Sequence, residues 1–175
     1  MVYRFILVTT IFVSSVFASI NFEELKTFKS EFTQLVINES GKTISYKGEV
    51  FIKNNGKVLW KYKTPIVKNV YLIDDLVIVD EPELEQAIYT KLEKEINMLK
   101  LMKEANKIDK DLYKANLYNT NYFITIKDDK IKSLSYQDEL SNKISINFSD
   151  PEQNVEIKDQ IFIFLAPKHY DIIEK

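Results

Sequence analysis

Three successive segments in which apolar and polar residues alternate constrain the fold of this chain more than any other feature. They lie at residues 32–34, 48–53 and 58–65, and the last of them contains the only tryptophan, Trp60. Alternation with a period of two residues is typical of β-strands that bury one face. Consecutive strands of this kind predict a curved sheet whose apolar face must be covered by another part of the chain.

The first 18 residues have the pattern of a secretory signal peptide. Arg4 supplies a positive charge, residues 5–17 are almost entirely apolar, and Val16 and Ala18 place small residues where signal peptidase reads them. The apolar run of about 13 residues is shorter than the roughly 20 that a membrane span needs. We therefore predict a signal peptide at 1–18 and a single exported domain at 19–175.

The composition argues against several kinds of site. The chain has no cysteine, one histidine and three glycines. Catalysis by a nucleophile with a histidine base, the common transition-metal sites and a glycine-rich phosphate loop are therefore not expected. A formal net charge of −2 with scattered lysines argues against nucleic-acid binding. We expect no catalytic residue, no metal and no cofactor, and hence a binding protein rather than an enzyme.

Two parts of the chain have helical patterns. Asn21 followed by Glu24 is typical of a helix N-terminus and predicts a short helix over about residues 21–28. Its apolar face would carry Phe22, Leu25 and Phe28. From residue 84 to 112, apolar residues recur every three or four positions, which predicts the main helical segment.

The remaining alternating segments predict an antiparallel meander without a parallel crossover. Strands are expected at 31–38, 42–53, 58–63, 70–73, 76–80, 121–127, 131–137, 143–148 and 161–164. Pro167 and the charged tail are expected to end the sheet. A long sheet of this kind coils, and a few helices can cover only part of its concave face. The sequence therefore predicts a mainly β (α+β) fold, an open barrel with a helical lid.

Five short motifs, in order along nearly the whole chain after residue 18, carry a family resemblance. They are Phe28-x-x-x-Phe32-Thr33-Gln34, Gly48-x-x-x-x-Lys53, Trp60-x-Tyr62-x-x-Pro65, Pro82-x-Leu84-x-Gln86 and Phe162-x-Phe164-x-x-Pro167-Lys168-x-x-Asp171. Together they resemble the periplasmic lipoprotein carrier family, LolA. The resemblance implies an incomplete antiparallel β-barrel (a half-barrel) with short helices as a lid over an apolar cavity.

The resemblance also implies a function and partners. Members of the family act in the periplasm of Gram-negative bacteria, where they bind the acyl chains of lipoproteins released by an inner-membrane ABC transporter. They deliver this cargo to an outer-membrane acceptor, which is either a receptor or the bilayer. The protein is expected to be a monomer. Two alternatives stay open: a carrier for free fatty acid or glycolipid on the same half-barrel, and a structural β-domain whose interior is filled solid.

The resemblance assigns roles to particular positions. The residues implied in the acyl cavity and its lid are Val58, Trp60, Tyr62, Val70 and Leu72 on strands, and Phe22, Leu25 and Phe28 on the lid helix. Many family members fasten the lid with an arginine at the position of Asn54, so we expect the lid to open more readily here. Val58 lies near a strand end, so a glutamate there is expected to block transfer while hydration spares the fold.

Overall fold

A computed structural model of the protein describes residues 24–92 and 98–175, and these residues build one twelve-stranded sheet. Its strands are β1 (Thr27–Ile37), β2 (Thr43–Lys53), β3 (Val58–Thr64), β4 (Lys68–Ile73), β5 (Leu76–Glu81), β6 (Gln86–Lys91), β7 (Asn106–Lys107), β8 (Leu112–Leu117), β9 (Thr120–Lys127), β10 (Lys130–Gln137), β11 (Lys143–Gln153) and β12 (Asp171–Glu174). Their order across the sheet is β12-β6-β5-β4-β3-β2-β1-β11-β10-β9-β8-β7. The predicted signal peptide and Phe22 lie outside the described residues.

The sheet is open, with β12 at one edge and β7 at the other. The first strand lies near its middle, because β1 pairs antiparallel with β2 on one side and with β11 on the other. One α-helix, α1 (Met98–Lys103), packs against β2 and β8. The prediction of a mainly β half-barrel with a short helical cover is therefore confirmed.

Two predicted helices are wrong over most of their described residues. Phe28 lies in β1, because the alternation of buried residues at 28, 30 and 32 continues the strand toward the N-terminus. The segment 84–112 contains strands β6 and β7, and β8 begins at its end; its described helical part is α1 and a short 3₁₀ helix at Pro82–Leu84. The isoleucine, tyrosine and threonine of β6 favour a strand over a helix.

The C-terminal segment also differs from the prediction. Residues 161–164 do not form a strand; a 3₁₀ helix covers Asp159–Phe162. The charged tail does not lie beyond the sheet, because β12 pairs in parallel with β6. The parallel pairing requires the intervening chain to cross the sheet, and this long-range connection leaves no local pattern in the tail.

The sheet buries side chains on both faces. On the inner face, Phe28, Phe32 and Ile52 pack with residues of β8–β11 and with Leu99, Leu101 and Met102 of α1. On the outer face, a smaller cluster joins residues of β3–β5 to residues 155–164, and its buried members are Leu59, Tyr71, Ile78, Ile157 and Phe162. The segment that follows β11 thus covers part of the outer face.

Ion pairing holds this covering segment at one point. The Lys53 ammonium lies 2.7 Å from Asp159 Oδ1 and donates a hydrogen bond to the carbonyl oxygen of Ile157 at 3.3 Å. The Lys57 ammonium lies 3.5 Å from the same Asp159 oxygen. The hydrogen bond from Lys53, reinforced by both positive charges, lowers the pKa of Asp159.

Candidate functional site

A cavity of about 260 Å³ opens on the inner face of the sheet. Its apolar lining residues are Val58, Trp60, Val70, Leu72, Leu101, Leu134 and Ile146. Its polar lining residues are Gln34, Tyr62, Tyr122 and Tyr136. The cavity therefore lies between the two halves of the sheet and beneath α1, where the fold predicts a space for an apolar ligand.

The pairing of β3 with β4 explains why the predicted strand residues come together. Val58 lies opposite Leu72, and Trp60 lies opposite Val70. Side chains two residues apart on a strand share a face, so these cross-strand pairs and Tyr62 point into the same space. All five strand residues assigned to the cavity from sequence line it. Their role in binding acyl chains stays a prediction.

The residues assigned to the lid lie elsewhere. Leu25 and Phe28 are buried in the inner core and are not among the residues that line the cavity. The ring of Phe28 packs edge-on against Phe148, with 5.1 Å between centroids. The side chain of Asn54 is exposed, and its backbone N–H donates a 2.8 Å hydrogen bond to the carbonyl oxygen of Lys26. Asn54 therefore joins the turn after β2 to the start of β1.

The expectation of a hydrated strand end at Val58 is wrong. Val58 is only 3% exposed and belongs to the inner core as well as to the cavity wall. A glutamate at this position would have to lose most of its hydration in the folded protein. The half-buried Val70, which lies opposite Trp60 on β4 and also lines the cavity, is the better site for placing a charge there.

An aromatic cluster forms one wall of the cavity. Phe32 contacts Trp60 and Tyr62 edge-on, with centroid distances of 4.9 Å and 5.3 Å. Trp60 and Tyr62 are stacked at 6.5 Å with their planes 27° apart. Such contacts fix ring orientations in addition to burying area. Phe32 therefore supports the two aromatic residues that face the cavity.

The opposite end of the β3 wall is polar. Tyr62 donates its hydroxyl hydrogen to Gln34 Oε1 at 3.0 Å, and the rings of Tyr122 and Tyr136 lie 5.0 Å apart. Burial, together with the nearby phenols of Tyr136 and Tyr46, raises the pKa of Tyr62 far above its usual value of 10.0. Burial, then Tyr122 and Asp138, raises the pKa of Tyr136 to about 12. These hydroxyl groups are therefore neutral near pH 7.

A larger depression lies at the ends of β1 and β9–β11. It has a volume of about 880 Å³, and its lining includes Ser135, Gln137 and Lys143. It is more open and more polar than the inner cavity, and it contains none of the residues assigned from sequence. The inner cavity is therefore the better candidate for an apolar ligand.

The described residues contain neither a metal-binding cluster nor a membrane-spanning helix. No group of three or more histidine, aspartate or glutamate residues in this part of the chain is arranged to hold a metal ion. None of the helices between residues 24 and 92 or 98 and 175 is long and apolar enough to cross a membrane. The chemistry described at the inner cavity is that of apolar surface, phenols and one carboxamide.

Comparison with known proteins identifies the family. The profile described as "Outer membrane lipoprotein carrier protein LolA" matches residues 23–121. An outer-membrane lipoprotein carrier protein of Campylobacter jejuni subsp. jejuni is 36% identical over 168 residues, covering 95% of this chain and 96% of that protein. The chain belongs to the LolA family. A Helicobacter hepaticus protein of the same description is 30% identical and covers 98% of this chain and 95% of its own.

A solved structure shares the fold of this chain. An uncharacterized conserved protein from Thermus thermophilus superposes with a TM-score of 0.53 over 89% of this chain and 94% of its own. The two sequences are 8% identical, so this likeness concerns the fold alone.

Sequence reasoning missed six of the eleven residues that line the cavity. Gln34, Leu101, Tyr122, Leu134, Tyr136 and Ile146 were not assigned to the site. Gln34 lies in one of the motifs, and the apolar spacing around Leu101 indicated a helix. The pairing of β1 with β11, which brings β9–β11 to the cavity, has no local signal in the sequence.

Proposed function

We propose that this protein is a periplasmic carrier that binds the acyl chains of lipoproteins and delivers them to the outer membrane. The observation that carries the proposal is the inner cavity, where α1 places Leu101 over an apolar wall of β3 and β4. Membership of the LolA family supports the same role. The peptide part of the lipoprotein would stay outside the cavity.

The energetics of acyl chains explain why such a carrier is needed. Burying one CH₂ group is worth about 0.8 kcal/mol, so two or three long chains in water carry a penalty of some tens of kcal/mol. A half-barrel can shield chains on its inner face while one side stays open for loading. No energy source is required in the carrier if affinity differs between donor, carrier and acceptor.

The cavity must enlarge to take its cargo. Ligand pockets in proteins commonly measure about 300–1,000 Å³, and the inner cavity is smaller at about 260 Å³. Leu101, which is buried and lines the cavity, occupies space that a chain would need. We therefore infer that α1, rather than a helix at residues 21–28, acts as the lid.

The remaining parts of the proposal concern the protein's surroundings. We infer that residues 1–18 are removed on export and that residues 19–175 act as one monomeric domain in the periplasm of a Gram-negative bacterium. An inner-membrane lipoprotein-releasing ABC transporter would supply the cargo, and a receptor or the outer membrane itself would accept it. The protein would act by binding and would catalyse no reaction. Carriage of free fatty acid or glycolipid is the alternative.

A pair of glutamate substitutions tests the proposal. Val70→Glu would place a carboxylate among the acyl chains, where it must stay charged at a large desolvation cost or take up a proton. We expect it to abolish formation of a complex with a purified diacylated lipoprotein while the urea midpoint stays near that of the wild type. Val67→Glu is the control, because Val67 is 40% exposed and does not line the cavity.

Two results would count against the proposal. Normal lipoprotein binding by Val70→Glu would mean that the cavity does not hold the cargo. Mass spectrometry of ligand extracted from protein expressed in the periplasm separates the alternatives, because a lipoprotein and a free lipid differ greatly in mass. If free fatty acid or glycolipid is recovered as the bound species, that lipid and not a lipoprotein is the cargo.

A further inference from the structure

Several hydrogen-bonding groups at the polar end of the inner cavity have no partner within the described part of the protein. Tyr62 bonds to Gln34 Oε1, but the hydroxyl groups of Tyr122 and Tyr136 and the amide nitrogen of Gln34 have no hydrogen-bond partner among the described residues. In that part of the chain, Asp80 Oδ1 is the only buried side-chain polar atom without a partner. The unpaired hydroxyl and amide groups of the cavity are therefore accessible to solvent or to a ligand and are not fully buried.

A purely hydrocarbon ligand would fit this end of the cavity poorly. Displacing water from a hydroxyl or amide without replacing its hydrogen bond carries the full desolvation penalty of that group. An acyl chain therefore favours the apolar wall, and the polar end favours atoms that accept hydrogen bonds. Carbonyl oxygens of esters and amides are such atoms, and they occur where an acyl chain ends.

The order of residues along β3 and β4 matches this chemistry. The cross-strand pairs begin with Val58 and Leu72, continue with Trp60 and Val70, and end with Tyr62 and Lys68. The cavity wall thus changes from apolar to polar over five residues of one strand. An acylated head group has the same order, with hydrocarbon tails attached to carbonyl groups and then to a polar backbone.

The polar end also favours a neutral acceptor over an anion. Its lining residues are a carboxamide and three phenols, which carry no charge near pH 7. The Lys68 ammonium does not line the cavity; it lies over the face of the Tyr62 ring, 4.9 Å from the ring centroid. The positive charge of Lys68 therefore makes a cation–π interaction with the Tyr62 ring.

We propose that Gln34, Tyr62, Tyr122 and Tyr136 form a subsite that binds the ester or amide carbonyl groups at the head of the acyl chains. The subsite rests on the proposed function, because it places the tails in the apolar part of the same cavity. It would fix the depth to which the chains enter. It would also let the carrier distinguish acylated head groups from hydrocarbon of equal length.

A pair of matched lipids tests this subsite. One probe is a fluorescent peptide whose cysteine carries a glyceryl group with two palmitoyl esters, and the other carries two hexadecyl ethers in their place. The ethers keep the chain length and remove the carbonyl groups. With two net hydrogen bonds gained, the full-length protein should bind the ester probe about tenfold more tightly than the ether probe.

Substitutions in the subsite test whether these residues cause the preference for the ester probe. Tyr136→Phe and Gln34→Met should each reduce the ester preference several-fold while affinity for the ether probe stays within about twofold of the wild type. Tyr89→Phe is the matched control, because Tyr89 packs with the outer-face cluster and should keep the full preference. Urea unfolding checks that each variant is folded, and Gln34→Met decides the matter if Tyr136→Phe does not fold.

The outcomes separate the subsite from the carrier role. Equal affinity of the wild-type protein for both probes would overturn the subsite and leave the carrier proposal standing. An ester preference that survives in both subsite variants would also overturn it. Failure of the wild-type protein to bind either probe would overturn the subsite together with the proposed function.

Discussion

Phe32 on β1 and Gly48 on β2 are cross-strand partners, and the phenylalanine ring covers the place where a side chain at position 48 would begin. A β-carbon on Gly48 would lie 3.0 Å from Phe32 Cε1 and would collide with the carbonyl oxygen of Lys61. The β2–β3 register shifts at this point, between Lys47 and Gly48. The absence of a side chain lets β3 approach closely and lets Phe32 reach Trp60.

Gly48→Ala should therefore destabilise the protein by about 3 kcal/mol, since overpacking against backbone leaves little room to relax. Urea unfolding followed by Trp60 fluorescence measures the change. Gly41→Ala is the control, because open space surrounds that position and only its φ of +79° opposes a side chain. A Gly48→Ala midpoint no lower than that of Gly41→Ala would contradict the assigned close approach.

Phe28→Ala should act on the sheet and not on a lid. Phe28 is fully buried on β1 and packs edge-on against Phe148 of β11. Removing a buried phenylalanine side chain typically costs about 3–5 kcal/mol. Phe123→Ala is the comparison, since Phe123 is 36% exposed and should lose much less. Equal losses in the two variants, measured by chemical denaturation, would be inconsistent with this placement of Phe28.

Leu101→Ala should open the cavity while weakening the fold. The side chain is buried, lines the cavity and lies on α1, so its truncation enlarges the space beneath the helix. We expect faster exchange of a fluorescent fatty acid in stopped-flow displacement, with a loss of about 2–4 kcal/mol in stability. Leu140→Ala, at a position that is 77% exposed, should leave both quantities unchanged. An unaltered exchange rate in Leu101→Ala would exclude α1 as the gate.

Stability should fall at alkaline pH because of Tyr136. Its pKa is about 12 in the folded protein against a usual 10.0, so the folded state holds the phenolic proton more tightly than the unfolded state. The stabilisation is complete below pH 10 and is lost as the pH rises toward 12. Tyr136→Phe should therefore show a shallower decline in unfolding free energy between pH 10 and 12. Parallel declines in the two proteins would count against a buried phenol.

Local patterns were sufficient where a strand and its turn follow each other directly. The strands β2–β5 and β9–β11 alternate clearly, and their turns place residues such as Asp74 and Asp128 at positive φ, which aspartate tolerates. Local patterns were insufficient for β6, because its residues fit the spacing of a helix as well as that of a strand. The parallel strand β12 was missed because its partner, β6, is distant in the sequence.

The candidate site was predictable on one side only. The resemblance led to Val58, Trp60 and Leu72 because these residues belong to strands that are neighbours in sequence and in space. Alternation also marks the inward face of β10, which carries Leu134 and Tyr136. It does not show that this face meets β3 and β4 across a cavity, since that depends on the pairing of β1 with β11.

The central position of β1 governs the order in which this protein folds. Its partner β2 follows directly in the sequence, but the other partner, β11, becomes available only when most of the chain has been synthesised, since Phe32 pairs with Phe148. Such distant pairing slows folding, and until it forms one edge of β1 has no strand beside it. Unpaired strand edges can pair with other chains, so newly made molecules are exposed to aggregation during this interval. The strand order that creates the inner cavity thus leaves the first half of the sheet with an unpaired edge. That edge is protected only after the second half of the sheet has been synthesised.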